Sequence, residues 1–473
     1  MSVSESDIKF RKSTTVTDTS SNGGRKSQTL VVSGARHSLF PRVTKSERTD
    51  GVTRYRKEFF CNDNADDDIG YGVLLYLELP SNSGDRFYLG EGDQSDIQSS
   101  LATYDPTWMG AGQLETLLSG GESSISLTME NSDFRFENDG YIHITDKYKT
   151  SQTVDSDVNI GDSVTYSSGT WSKITAQTDI DYPDGIYIGS STVMTIETGT
   201  NEEWLQIAKN YYPEEDIGNG DGADTSPALT TLSNNTNGIC LQPGLLPMVT
   251  ATIGAVTKTV NVASDGSCSG YCSAGTLNMT TGVWTTDITW TVAPDNGTDI
   301  KCTYCENAFA YSGNVATIAL GEQVANAYAT ANSYGGGCIY SGEIKPRTDN
   351  WTETTSSGTY DESTYPLTLF NDGTEEDTFT FTFTNATAFT CSGTNAGSVG
   401  TGSVSADFSP TNADTGQPYF TLLSAGWGGT WASGETVQAQ THPATLPVWL
   451  KEVVPAGTAQ ESYNLCVVGY YVE

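Results

Sequence analysis

A chain of 473 residues is too long for one small core, so two to four domains are expected. Its 58 Asp and Glu against 23 Lys and Arg leave a formal charge of −35 at pH 7, which sets most of its surface against nucleic acid and anionic membrane. Hydrophobic residues at 36%, 24 Tyr and 9 Trp exclude an acidic disordered chain, and 49 Gly among abundant Ser and Thr suit short strands joined by turns.

The charge is uneven. Residues 1–60 hold 12 Lys/Arg and 6 Asp/Glu, whereas the remainder holds 11 and 52. The opening MSVSESDIKFRK has no apolar signal-type region, and no run of about 18 apolar residues occurs. Cytosolic synthesis, reduced thiols and no membrane partner are therefore expected. Residues 1–45 lack a helical period and break at SSNGGRKSQ (Ser20–Gln28) and at Pro41, predicting an extended arm that takes its structure from a neighbour. GVTRYRKEFF (Gly51–Phe60) alternates as a strand with basic groups on one face.

Further along, YGVLLYLELP (Tyr71–Pro80) predicts a buried strand. FRFENDGYIHITD (Phe134–Asp146) predicts a hairpin about Asn138-Asp139-Gly140, and SVTYSSGTWSKI (Ser163–Ile174) another about a Ser-Gly turn. EEWLQIAKNYYPEED (Glu202–Asp216) predicts a short helix ended by Pro213. TLNMTTGVWTTDITWTVAPDNGTDIKCTYC (Thr276–Cys305) reads as paired strands, while NAYATAN (Asn326–Asn332) suits a helix or a strand. In TFTFTFTN (Thr378–Asn385), Phe379, Phe381 and Phe383 face a core and the Thr residues face water or a neighbouring subunit. The fold class is mainly β, a multidomain set of sandwiches or small barrels with an extended N-terminal arm and few short helices. Four segments are expected: the basic arm and first strand over 1–60, a β domain over 61–235, a β-rich domain with Cys pairs over 236–345, and a C-terminal β-sandwich over 346–473.

Catalytic motifs are missing. His37, His143 and His442 stand in no catalytic spacing, and there is no His-Glu-x-x-His, P-loop, Rossmann fingerprint or Gly-x-Ser-x-Gly elbow. No carboxylate pair is singled out for glycoside hydrolysis. DIGNGDGADTSP (Asp216–Pro227) and NDNADDD (Asn62–Asp68) lack EF-hand spacing and read as surface turns. No enzyme activity is expected. Cys268 and Cys272, followed by Cys302 and Cys305, have the arithmetic of a four-thiolate zinc site. Positions 302 and 305 of one strand point to opposite faces, however, and structural zinc, a disulfide or buried free thiols all stay open. No other cofactor is indicated.

Three stretches resemble structural proteins of tailed-bacteriophage virions. They are SGARHSLFPRVTKSERTDGVTRYRKEFFCND (Ser33–Asp63), TTGVWTTDITWTVAPDNGTDIKCTYC (Thr280–Cys305) and THPATLPVWLKEVVPAGT (Thr441–Thr458). The resemblance implies a multi-copy, non-catalytic component of the virion, at the neck, collar or tail, with copies of itself and other virion proteins (neck, tail or capsid) as partners. On that reading the basic segment docks onto a neighbouring subunit. Leu39, Phe40, Phe59 and Phe60 bury apolar surface, and Arg48, Arg54, Arg56 and Lys57 select and orient the partner. Direct nucleic-acid binding is not expected, because the acidic body opposes approach to a polyanion. The rival reading is a virion-surface carbohydrate-binding or glycan-degrading protein, a capsid decoration or a baseplate or receptor-binding component. Trp427 and Trp431 in GWGGTWASG then serve either as a sugar platform or as sandwich core.

Overall fold

A computed structural model of the chain describes residues 3–33, 37–81, 84–154, 164–167, 170–173, 187–188, 193–197, 201–242, 244–457 and 466–472. It is mainly β, with 49% strand and 5% helix. The sheets are largely antiparallel, and among the described residues none closes into a barrel. The chain forms two compact units rather than four consecutive segments. The first comprises Met1–Leu77, Ser81–Trp108 and Ile339–Glu473, and the second Glu78–Pro80 and Met109–Cys338. Strand pairing between the two ends of the chain overrides sequential division: Val52–Asn62 runs antiparallel to Thr445–Val454, from Val52 opposite Val454 to Cys61 opposite Thr445.

In the first unit, one sheet has the order Gly23–Leu30, Ile8–Thr15, Val52–Asn62, Thr445–Val454, Arg86–Glu91. The expected extended arm is thus two strands of its own chain's sheet. Phe10 explains the docking, since its ring meets Phe60 at 5.5 Å and Tyr470 at 6.1 Å. Between the arm strands and Val52–Asn62 lies a short helix, Lys45–Asp50. The Thr44 hydroxyl accepts the Glu47 N–H, and the Glu47 carboxylate accepts the Thr44 N–H at 2.6 Å, a reciprocal cap. Gly51, at φ 79°, ends the helix in a conformation that disfavours any other residue. Gly70–Leu77, buried from Val73 onward, pairs with Val468–Tyr471.

The other large sheet of this unit runs Arg347–Thr354, Thr436–His442, Asp377–Phe383, Ala388–Gly393, Gly397–Ser403. Phe379, Phe381 and Phe383 enter its core beside Phe389, Phe408, Phe420 and Trp431, as the alternation predicts. Phe383 and Trp431 stack at 4.1 Å with 6° between the rings. Each such aromatic contributes about 1.5–3 kcal/mol by leaving water.

The second unit holds a sheet ordered Glu202–Gln206, Tyr141–Thr145, the part of Tyr334–Ile344 up to Cys338, Ala111–Leu114, Ser124–Met129, Val315–Ala319, Phe309–Ser312. A further sheet runs Asn210–Asn219, Asp299–Glu306, Met248–Ile253, Val256–Val262, Cys268–Gly270. With the hairpin Cys272–Leu277 and Trp284–Trp290 it encloses a core around Val249, Val260, Ile288, Trp290, Ile300 and Tyr304. The two strands expected about the Ser-Gly turn pair antiparallel, Val164–Ser167 with Thr170–Lys173; the turn itself lies outside the described residues.

Three local expectations fail. Glu202–Asp216 is not a helix: Glu202–Gln206 pairs with Tyr141–Thr145, and Asn210–Asn219 with Asp299–Glu306. Pro213 sits where the register shifts between Tyr212 and Glu215, on an edge strand, the place where a sheet tolerates proline. The Asn138-Asp139-Gly140 turn forms, with Gly140 N–H on the Glu137 carbonyl at 3.1 Å, but no strand precedes it. Phe134 and Phe136 are buried outside the ladder, and Tyr141–Thr145 takes distant partners instead. Asn326–Asn332 is neither helix nor strand but a turn with one bridge, Tyr328 to Leu118.

Candidate functional site

The basic strand Val52–Asn62 is covered on both faces. Its cations are consequently enclosed with acids and carbonyls of the same unit. The Arg54 guanidinium donates to Glu452 at 3.0 Å and also to Glu47. Arg56 donates to the carbonyls of Leu39 at 3.1 Å and Thr17 at 3.0 Å, and pairs with Asp18 at 2.7 Å. Lys57 donates to the Gly24 carbonyl at 2.8 Å and pairs with the Asp96 carboxylate, which also accepts Trp449 Nε1–H at 2.7 Å and the Tyr104 hydroxyl. Arg48 makes a two-pronged pair with Asp85. Burial lowers the Lys57 pKa, with Asp96 opposing that shift. Burial raises that of Glu452, against the pull of Arg54.

The docking set is therefore corrected. Phe59 and Phe60 have no exposure at all, Phe40 is buried against Phe87, and Leu39 is half-buried. Arg54, Arg56 and Lys57 are almost fully enclosed, and Arg48 is engaged by Asp85. The basic N-terminal segment supplies the counter-ions that let acids from distant parts of the chain be buried. Lys26 adds to the set, reaching Glu375 at 3.3 Å.

Glu58 of the same strand is the exception. Burial pushes its carboxyl pKa up to about 8, with Lys12 opposing. Among the described residues its Oε1 accepts no hydrogen bond. The group is held protonated at neutral pH.

Of the four cysteines picked out by spacing, Cys268, Cys272 and Cys302 meet at one core and Cys305 stands apart from it. Cys302 lies in the core of the second unit, and Cys268 and Cys272 pack against that core half-buried. Cys305 is buried outside that core, as expected for strand positions three apart. All nine cysteines are free thiols, and among the described residues no group of three or more His, Cys, Asp or Glu is arranged to hold a metal. Burial pushes the Cys268 thiol up to about 12.

Two of the three histidines are paired with carboxylates. His143 Nε2 lies 2.8 Å from Glu202, and His442 bridges Glu376 at 2.7 Å and Asp349 at 3.0 Å. His37 is exposed. Trp427 and Trp431 pack on the sandwich core: Trp431 is buried on Phe383, and the half-buried Trp427 meets Tyr360 edge-on at 4.7 Å. Of the expected turn over Asp216–Pro227, Asp216–Asn219 instead ends the strand Asn210–Asn219, and the turn that follows is capped by Asp221 accepting from the Ala223 and Asp224 N–H groups; in Asn62–Asp68, Asn64 accepts from the Asp66 and Asp68 N–H groups, and the Asn371 N–H donates to Asp67.

What the sequence only half disclosed is a face. On the outer side of the Phe-rich sheet, Thr354, Thr436, Thr382, Thr390 and Thr401 stand opposite one another across all five strands. The next row is Thr352, Gln438, Thr380, Ser392 and Ser398. All are exposed or half-buried, and Gln438 donates to the Thr380 hydroxyl at 3.0 Å. With strands about 4.8 Å apart, each row runs roughly 19 Å. None of these ten side chains carries a charge.

No family model matches the chain, and no curated protein or solved structure is detectably similar to it.

Proposed function

We infer that the chain is a structural, non-catalytic component of a tailed-bacteriophage particle, present in several copies that pack through the neutral Thr/Ser/Gln face. The observation that carries this reading is the charge-free face itself. Two bodies of net charge −35 repel, and a registered ten-residue patch without carboxylates, bordered in the adjoining row by Asp349 opposite Gln440, is where copies approach against the least field. The phage setting rests on the sequence resemblance. Two of its three segments, Ser33–Asp63 and Thr441–Thr458, include the strands Val52–Asn62 and Thr445–Val454, which lie side by side. Those residues are thus under the constraint of one ladder, which supports reading them as a single structural signature. The N-terminal segment has no docking role in this proposal, because its cations and phenylalanines are used internally.

The test has two parts. Quantitative mass spectrometry of purified particles should find the chain in many copies. The double variant Thr380→Glu, Thr401→Glu, whose positions are not cross-strand neighbours, should fold normally by circular dichroism yet enter particles poorly. Absence from particles, or incorporation of the folded double variant equal to the parent, would overturn the proposal.

A further inference from the structure

Outside the regular strands of the second unit, Ile239 bridges Glu306 in antiparallel register. Flanking that bridge, the Cys240 N–H donates to the Cys305 carbonyl at 2.9 Å and the Asn307 N–H to the Gly238 carbonyl at 2.9 Å. This register sets Cys240 directly opposite Cys305. Opposed residues of an antiparallel pair project from the same face, with Cα atoms about 4.5–5.5 Å apart. A disulfide spans Cα separations of roughly 4.4–6.8 Å.

In strand register, the other cysteines of the described ladders face residues of other types, although Cys268 lies near Cys272 and Cys302. Cys61 is opposite Lys9 and Thr445, Cys268 opposite Val262, and Cys272 opposite Trp290. Cys302 is opposite Glu215 and Val249, Cys338 opposite Tyr141, and Cys391 opposite Phe381 and Gly400. Among the described ladders and bridges, only 240 and 305 set cysteine against cysteine.

We propose that Cys240 and Cys305 form a disulfide when a small-molecule disulfide such as oxidised glutathione is present. One protein thiolate attacks a glutathione sulfur and displaces one glutathione thiolate. The second protein thiolate then attacks the protein sulfur of the mixed disulfide and displaces the other. Two protein S–H groups are oxidised to one S–S bond, their protons pass to solvent or the departing thiolates, and the oxidant is reduced to two glutathione thiols. Both side chains are buried, and burial pushes the Cys240 thiol up to about 11. Exchange is accordingly slow in the folded protein and fast while the chain is folding. The neighbouring Leu241 is 51% exposed, which places the pair just beneath the surface.

The experiment refolds the full chain in a glutathione redox buffer, alkylates the remaining thiols, digests, and maps linked peptides by mass spectrometry. A parallel sample of natively purified protein is incubated with oxidised glutathione at pH 8 for a day. The expected result is one dominant link, Cys240 to Cys305, with the other cysteines alkylated, and a melting midpoint several degrees above that of the reduced protein. Cys305→Ser should lose both the link and the shift. Recovery of Cys240 and Cys305 as alkylated or glutathione-capped thiols in both samples overturns the proposal. So does a link scattered among the other cysteines.

Discussion

Replacing Glu58 by Gln should stabilise the protein, and by an amount that depends on pH. Glu58 lies within Val52–Asn62, opposite Lys12 on one side and Val448 on the other. Its carboxyl pKa rises from 4.5 in the unfolded chain to about 8 in the folded one. A raised folded pKa gives a contribution fully present below the unfolded value and lost as pH rises through the folded one. Between pH 4.5 and 7 the unfolded chain sheds a proton that the folded chain must keep. At 1.36 kcal/mol per pH unit this withdraws about 3 kcal/mol by pH 7, and about 5 kcal/mol once pH passes 8. Gln preserves the volume and never ionises. The variant should match the parent near pH 4.5, exceed it by about 3 kcal/mol at pH 7, and gain no more above pH 8. Urea unfolding followed by tryptophan fluorescence, with Trp449 in the same sheet as reporter, measures the difference at each pH. A gap that does not change with pH, or a variant less stable at pH 7, would refute the reasoning.

Other outcomes follow from the same contacts. Lys57→Ala strands the Asp96 carboxylate in the core and should cost about 3–5 kcal/mol in denaturant unfolding, whereas Lys57→Ala combined with Asp96→Asn should recover part of that loss. Phe383→Ala removes the ring stacked on Trp431 and should cost about 3–5 kcal/mol, with a shift in tryptophan emission. Deleting residues 1–45 takes two strands from the first unit's sheet and bares Phe60. The truncated chain should show rapid proteolysis of the first unit, and a protease-resistant, soluble product would count against this packing. Arg54→Glu places a carboxylate between Glu47 and Glu452 and should abolish soluble expression, an outcome read directly by fractionating cell lysates.

Much of the core was legible in local pattern. Phe379, Phe381 and Phe383 alternate, the Ser-Gly hairpin has a strong turn between strand-formers, and both needed only the period of two. The reciprocal cap was also written plainly as Thr44-x-x-Glu47, yet a search for apolar periodicity passes over a helix of one and a half turns with no buried residue. Glu202–Asp216 misled because Leu, Ala and Lys favour helix locally while Trp204, Leu205 and Ile207 were committed to a sheet. The basic strand was harder. Arg54 meets Glu452 across 398 positions and Lys57 meets Asp96 across 39, and no local signal distinguishes a cation awaiting an internal acid from one awaiting a partner. The neutral face is visible in retrospect as the Thr positions between the phenylalanines, but its rows exist only once the register of five strands is known.

The pairing of Val52–Asn62 with Thr445–Val454 also sets a schedule. At roughly 5–20 residues per second, the ribosome delivers the partner of Arg54, 398 positions downstream, roughly 20–80 seconds after Arg54 itself. Throughout that interval Val52–Asn62 is paired on one edge only, and Arg54 is without its second carboxylate. The second unit, almost entirely contiguous from Met109 to Cys338, can fold meanwhile. The neutral face is also assembled late, because Thr436 and Gln438 precede the closing strand by only a few residues. Under the proposed packing, copies of the chain have no complete surface to offer one another until Thr436–His442 has been synthesised, so growth of an array is timed by translation as well as by concentration.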